Sequence, residues 1–150
     1  MAMVADGLSV TLLVMLALVL QFAGSGAQLT PRNITVGGKL GWQYGVNYTT
    51  WAQKNAPFFM GDALVFYYHN KTIGNVSIPH SVLISEDYQL VSSCNFSKAI
   101  QVGNITQGIK GFRFNLTDSK QYNFACGIGP HCKLGNMRFA VFALEPHNGV

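Results

Sequence analysis

The stretch FACGIGPHCKLGNM, residues 124–137, places two cysteines, a histidine and a methionine within fourteen positions near the end of the chain. Three readings suit such a cluster: a disulfide with bystanders, a zinc site, or most of a copper site. The runs on either side of it decide the fold. QYNFACG (121–127) leads in and MRFAVFAL (137–144) leads out, both rich in aromatic or β-branched residues. Upstream, ALVFYY (63–68) follows the turn pair Gly61-Asp62, and HSVLISE (80–86) follows Pro79. GFRFNLT (111–117) alternates Phe112, Phe114 and Leu116 with Arg113 and Asn115. Short runs of this kind, separated by Gly, Asn and Pro, predict an all-β antiparallel sandwich or barrel. One helical turn is expected at TTWAQK (49–54), capped by Thr49 or Thr50. The sequence contains no internal repeat and no low-complexity segment.

The chain opens with the apolar run LSVTLLVMLALVLQF (8–22) and the small-residue stretch AGSGAQ (23–28). Ser25 and Ala27 stand at the positions a signal peptidase reads, so residues 1–27 are expected to be a cleaved secretory signal. The leading MAMVADG departs from that pattern by carrying Asp6 and no Lys or Arg. A membrane anchor is the other reading, but a span needs about 20 apolar residues. Residues 28–150 are then one domain, large enough for a single core. Seven of the eleven asparagines begin Asn-x-Ser/Thr acceptors: Asn33, Asn47, Asn70, Asn75, Asn95, Asn104 and Asn115. That density points to a chain that passes through a glycosylating pathway. The final FALEPHNGV has no hydrophobic tail, so no lipid anchor is expected. The mature chain is expected to be soluble, monomeric and extracellular.

Ten Lys and Arg against six Asp and Glu make the formal charge +4. Such a surface favours loose contact with anionic wall or membrane material. The basic residues are scattered singly, which argues against a nucleic-acid patch.

Cys94, Cys126 and Cys132 are the only cysteines. In an oxidising compartment two should pair, and three pairings are possible. Cys126 and His131 stand at a C-x4-H spacing that lets thiolate and imidazole converge on one ion. Zinc held by Cys126, His131 and Cys132 would need adjacent residues to face one metal, whereas neighbours in extended chain diverge. A nucleophilic cysteine would need a base and an orienting group, and no further support for one is present. A copper site, a structural disulfide with a spare thiol, and the zinc or catalytic readings all remain open at this point. For copper, one thiolate, two imidazoles and a distant thioether are the selecting set. His80, starting a β-branched run, is the candidate second imidazole, and Met137 the candidate axial ligand. His69 and His147 read as structural or exposed.

The sequence resembles the phytocyanins, the plant blue copper proteins of the cupredoxin superfamily. The resemblance runs through VGG (36–38), Gly41-Trp42, NYTTWA (47–52), GDALVF (61–66), His80, Cys94, YNFACGIGPHC (122–132) and Met137. It implies a Greek-key β-sandwich with one or two short helical turns. It implies one type 1 copper ion bound by His80, Cys126, His131 and Met137, and a Cys94–Cys132 disulfide. The family commonly spaces its last histidine and axial ligand as H-x4-M, which here lands on Asn136. Because MRFAV resembles the strand that begins at the family's methionine, the expectation is Met137. A methionine axial ligand, a basic chain and no stalk look most like the plantacyanin branch. The segment NKTIGNVSIP (70–79) before His80 is expected to be a long loop. The implied function is secreted one-electron transfer with an unidentified redox partner and no enzymatic reaction. The alternative is a non-redox matrix or signalling glycoprotein on the same fold.

Overall fold

Alternation in residues 138–144 is where the sandwich is easiest to see. Phe139, Val141 and Ala143 are buried, while Phe142 and Leu144 lie open to solvent, so the strand presents one face inward. The computed structural model describes residues 30–69, 71–73 and 76–146, with the side chains of 71–77 outside that description. The expected signal segment, Asn70, Asn75 and His147 also lie outside the described residues.

Ten strands are described: β1 (Asn33–Thr35), β2 (Phe58–Phe59), β3 (Ala63–Phe66), β4 (Lys71–Ile73), β5 (Val76–Ile78), β6 (Val82–Ser85), β7 (Ile100–Gly103), β8 (Phe112–Asn115), β9 (Gln121–Ala125) and β10 (Arg138–Leu144). One sheet has the order β1-β3-β8, the other β2-β10-β9-β6-β7, and β4-β5 form a separate ribbon. β1 with β3 and β2 with β10 are parallel, and the remaining pairs are antiparallel. The two larger sheets face each other across an aromatic core. Phe124 and Phe139 are opposite one another in the β9–β10 register and stack at 5.2 Å. Phe66 from the smaller sheet meets Phe124 at 5.4 Å and Trp42 at 5.4 Å. Rings at such separations add stabilisation beyond the area they bury. This is the cupredoxin-like β-sandwich.

Helical content exceeds the expectation of one or two turns. Beside α1 (Tyr48–Asn55) there are α2 (Tyr88–Ser92), α3 (His131–Leu134) and 3-10 turns at Gly38–Leu40 and Gln107–Ile109. The cap of α1 is Asn47, not Thr49 or Thr50, which lie inside the helix. Asn47 Oδ1 accepts the Thr50 N–H at 3.0 Å, the third amide of the turn. Asp87 caps α2 in the same way, accepting from Gln89 and Leu90. The segment before His80 is not an open loop: β4 and β5 pair within it as a hairpin.

Two anchors hold the sheets to their connections. Asp62, 2% exposed, accepts from the Arg32 backbone N–H, the Arg32 guanidinium and the Phe59 N–H. Cys94 and Cys132 are joined by a disulfide across 38 residues. The bridge packs with Val91 of α2 and Ala125 of β9 in a small second cluster. No helix among the described residues is long and apolar enough to cross a membrane.

Candidate metal centre

Register delivers the first two ligands. Leu83 of β6 lies opposite Ala125 of β9 in an antiparallel pair. His80, three residues before Leu83, and Cys126, one after Ala125, therefore reach the same end of the five-stranded sheet. A register shift between Val82 and Leu83 in the β6–β7 pair lies beside His80. Irregularities of this kind re-aim neighbouring side chains. Ser81 joins the two strands: its hydroxyl accepts the Gly127 N–H at 3.1 Å, and its carbonyl accepts the Trp42 Nε1–H at 2.9 Å.

The third comes from the β9–β10 connection. The His131 N–H donates to the Ile128 carbonyl, and His131 opens the single-turn α3. His131 Nδ1 stands 3.6 Å from Cys126 Sγ and 3.2 Å from His80 Nδ1, with His80 Nδ1 4.0 Å from the sulfur. These three donors, all within 4.8 Å of one another, form the one metal-ligating cluster among the described residues. All three residues are buried: Cys126 is 0%, His80 3% and His131 8% exposed. The ring of Tyr44, itself half exposed, meets the His131 imidazole edge-on at 5.7 Å.

Burial acts in opposite directions on the two loop ligands, opposing the thiolate of Cys126 and favouring the neutral imidazole of His131. Burial pushes the Cys126 thiol above its ordinary pKa, although hydrogen bonds from Ser81 and the Ile128 backbone pull it partly back. Burial lowers the His131 pKa, which favours the neutral imidazole that a metal requires. Cys126 is the free cysteine of the described chain, because Cys94 and Cys132 hold each other. The zinc reading that needed Cys132 as a thiolate therefore has no second sulfur. One thiolate and two imidazoles in a dry pocket fit copper better than zinc or calcium.

Met137 and Asn136 differ sharply. Met137 is 0% exposed and shares the core cluster with Cys126, whereas Asn136 is exposed and has a left-handed backbone, φ 54°. The Met137 backbone ties the two loop ligands together, accepting from the Cys126 N–H at 2.9 Å and donating to the His131 carbonyl at 3.1 Å. His69 is exposed and outside the cluster. Ser81, Tyr44 and Tyr68 were not singled out by the sequence, since each is an ordinary strand or loop residue until the fold brings it to the histidines.

Each described acceptor asparagine shows one pattern. Asn33, Asn47, Asn95, Asn104 and Asn115 are exposed, and each uses its side-chain oxygen as a hydrogen-bond acceptor. Arg113 donates to both Asn33 and Asn115, which flank Ala63 in register on neighbouring strands. By contrast Asn55 and Asn123, which begin no acceptor triplet, spend their amide nitrogens on the Trp51 and Ser85 carbonyls.

Comparison with known proteins agrees with this geometry. The profile of the plastocyanin-like domain family matches residues 42–136, taking in His80, Cys126 and His131 and stopping one residue before Met137. The search of curated proteins returns no significant match. Among solved structures, cucumber stellacyanin with Cu2+ at pH 7.0 is 22% identical over 79% of this chain and 100% of its own, with a TM-score of 0.62. Cucumber basic protein, a blue copper protein, is 28% identical over 75% of this chain and 99% of its own, with a TM-score of 0.57. Since the profile spans well over half the sequence and the sandwich is shared with both cucumber proteins, the chain belongs to the phytocyanins of the plastocyanin-like family.

Proposed function

We propose that the mature protein is a secreted type 1 copper protein that carries single electrons and catalyses no reaction of its own. The observation that supports this most directly is the convergence of His80 Nδ1, His131 Nδ1 and Cys126 Sγ within 4.8 Å in a buried site. Copper held there would supply a one-electron couple between Cu(II) and Cu(I). The chain's part is geometry. His80 leads into β6, Cys126 is bonded through its amide to Met137 just before β10, and His131 is bridged through its neighbour Cys132 to Cys94, just past the end of α2. Ligands held from three directions move little when the charge on the site changes, so little rearrangement opposes transfer. Met137 is the proposed fourth, weak ligand. Its burial beside Cys126 favours it over solvent-facing Asn136.

The rest of the reading follows from the sequence: cleavage after Ala27, release to the apoplast, and glycans on acceptor asparagines. The redox partner, protein or small molecule, would approach at the His131 edge, where Tyr44 and Leu134 are exposed at 49% and 65%. The test is to express the full chain in a secretory host, recover the protein from the medium and load it with copper. One copper per chain and reversible reduction support the proposal. A stably folded protein that takes up no copper would leave the non-redox glycoprotein reading in its place.

A further inference from the structure

Behind His80 stands Tyr68, a buried residue 2% exposed. The two rings meet edge to face, with centroids 6.4 Å apart and planes at 87°. Tyr68 is held at several points. Its N–H donates to the Gly108 carbonyl at 3.1 Å, and its hydroxyl donates to the Asn104 carbonyl at 2.5 Å. Its ring lies directly on Gly108, where an added Cβ would fall 2.2–2.3 Å from three ring atoms. The turn that grips it is itself fixed. Asn104 Oδ1 accepts from the Thr106 N–H, the Thr106 hydroxyl and the Gln107 N–H, while Gln107 Oε1 accepts the Asn104 N–H.

His80 precedes β6 and lies outside the strand ladder. An imidazole there can turn about its side-chain torsions unless packing selects one rotamer. A site stays productive only when each donor is locked by a wall of fixed groups. We propose that Tyr68, clamped by the 104–111 turn, is a positioning residue for His80, holding its Nδ1 toward Cys126 and His131. Gly108 is the part of the clamp that no other residue can replace, because any side chain there meets the Tyr68 ring and must displace it. The consequence for copper rests on the metal-centre reading; the packing itself does not.

The test uses the full mature protein with isotope-labelled histidine, first without metal. Tyr68→Phe removes only the hydroxyl bond, and Gly108→Ala displaces the ring from behind. Both should shift and broaden the His80 ring signals in the NMR spectrum, Gly108→Ala more strongly, while the His131 signals stay in place. Ile109→Ala, on the exposed side of the same turn, should move neither. After copper loading, the same two variants should bind one copper but change the nitrogen hyperfine pattern of the ion. Unchanged His80 signals in both folded variants would overturn the proposal. If Gly108→Ala does not fold, Tyr68→Phe decides alone. A parent protein that takes up no copper would sink the electron-carrier reading, yet the metal-free spectra would still judge Tyr68.

Discussion

His80 and His131 lie 51 positions apart in sequence, and their Nδ1 atoms stand 3.2 Å apart. Two buried nitrogens so close are poorly placed to be charged together, and desolvation already lowers the His131 pKa. His80, His131 and Cys126 could together hold a single cation, which would relieve that crowding.

Met137→Gln should keep the protein blue and lower its reduction potential, because an amide oxygen favours the oxidised ion more than a thioether does. Asn136→Ala should leave both potential and spectrum unchanged, since Asn136 faces solvent. Voltammetry of the two variants separates the assignments. Should Asn136 set the potential and Met137 be silent, the H-x4 spacing is the better guide.

Removing the disulfide with Cys94→Ala and Cys132→Ala together should cost about 4 kcal/mol, the chain-entropy value for a loop of this size. The bridge closes 38 residues and holds the residue next to His131. Urea unfolding reads the loss. Copper should also dissociate faster from the double variant, and an unchanged midpoint would show the bridge to be passive.

Acid should weaken the fold through Asp62. Burial pushes its carboxyl up, but bonds from the Arg32 guanidinium and the Arg32 and Phe59 amides outweigh burial and hold it below the usual carboxylate range. A carboxyl depressed in the folded state contributes stability above its unfolded pKa of about 3.9 and loses it as pH falls through the lower folded value. Asp62→Asn should therefore cost about 1–3 kcal/mol at neutral pH, because the Arg32 guanidinium and the Arg32 and Phe59 amides lose the carboxylate that accepts from them. The gap between variant and parent in denaturant midpoint should narrow below pH of about 4. A gap independent of pH would contradict the assignment.

Glycan mapping tests the compartment. The five described acceptor asparagines offer their oxygens to the fold and are exposed, so a sugar on the nitrogen leaves those bonds intact. Enzymatic release of glycans in heavy-oxygen water should label these positions and spare Asn55 and Asn123. A secreted product beginning near Gln28 is expected with them. Recovery of Met1 on an unglycosylated, membrane-retained chain would refute secretion.

Much of this was legible in the residues themselves. Five strand runs announce themselves through aromatic and β-branched content over four or more positions: β8 and β10 alternate, whereas β9 is buried at four consecutive residues. β1, β2, β4, β5 and β7 do not. They are two to four residues long, and β1 and β2 exist by pairing with distant strands rather than by local pattern. The α2 helix escaped notice because its one strong signal is a single Asp87 cap on a five-residue turn. Cys126 and His131 are close in the chain, so their spacing speaks for them. Tyr68 and Ser81 are fixed in place by bonds to Asn104, Trp42 and Gly127 that span 36 to 46 positions, which no local reading reaches.

If Cys126 is the thiolate of a copper centre, the visible spectrum of the copper-loaded protein will report the bond. The parent should show the intense blue charge-transfer band of a sulfur bound to Cu(II). Cys126→Ser should lose that band while retaining its fold, and Cys94–Cys132 should remain intact by peptide mapping. A blue band that survives in Cys126→Ser, or a parent that binds copper without colour, would contradict it.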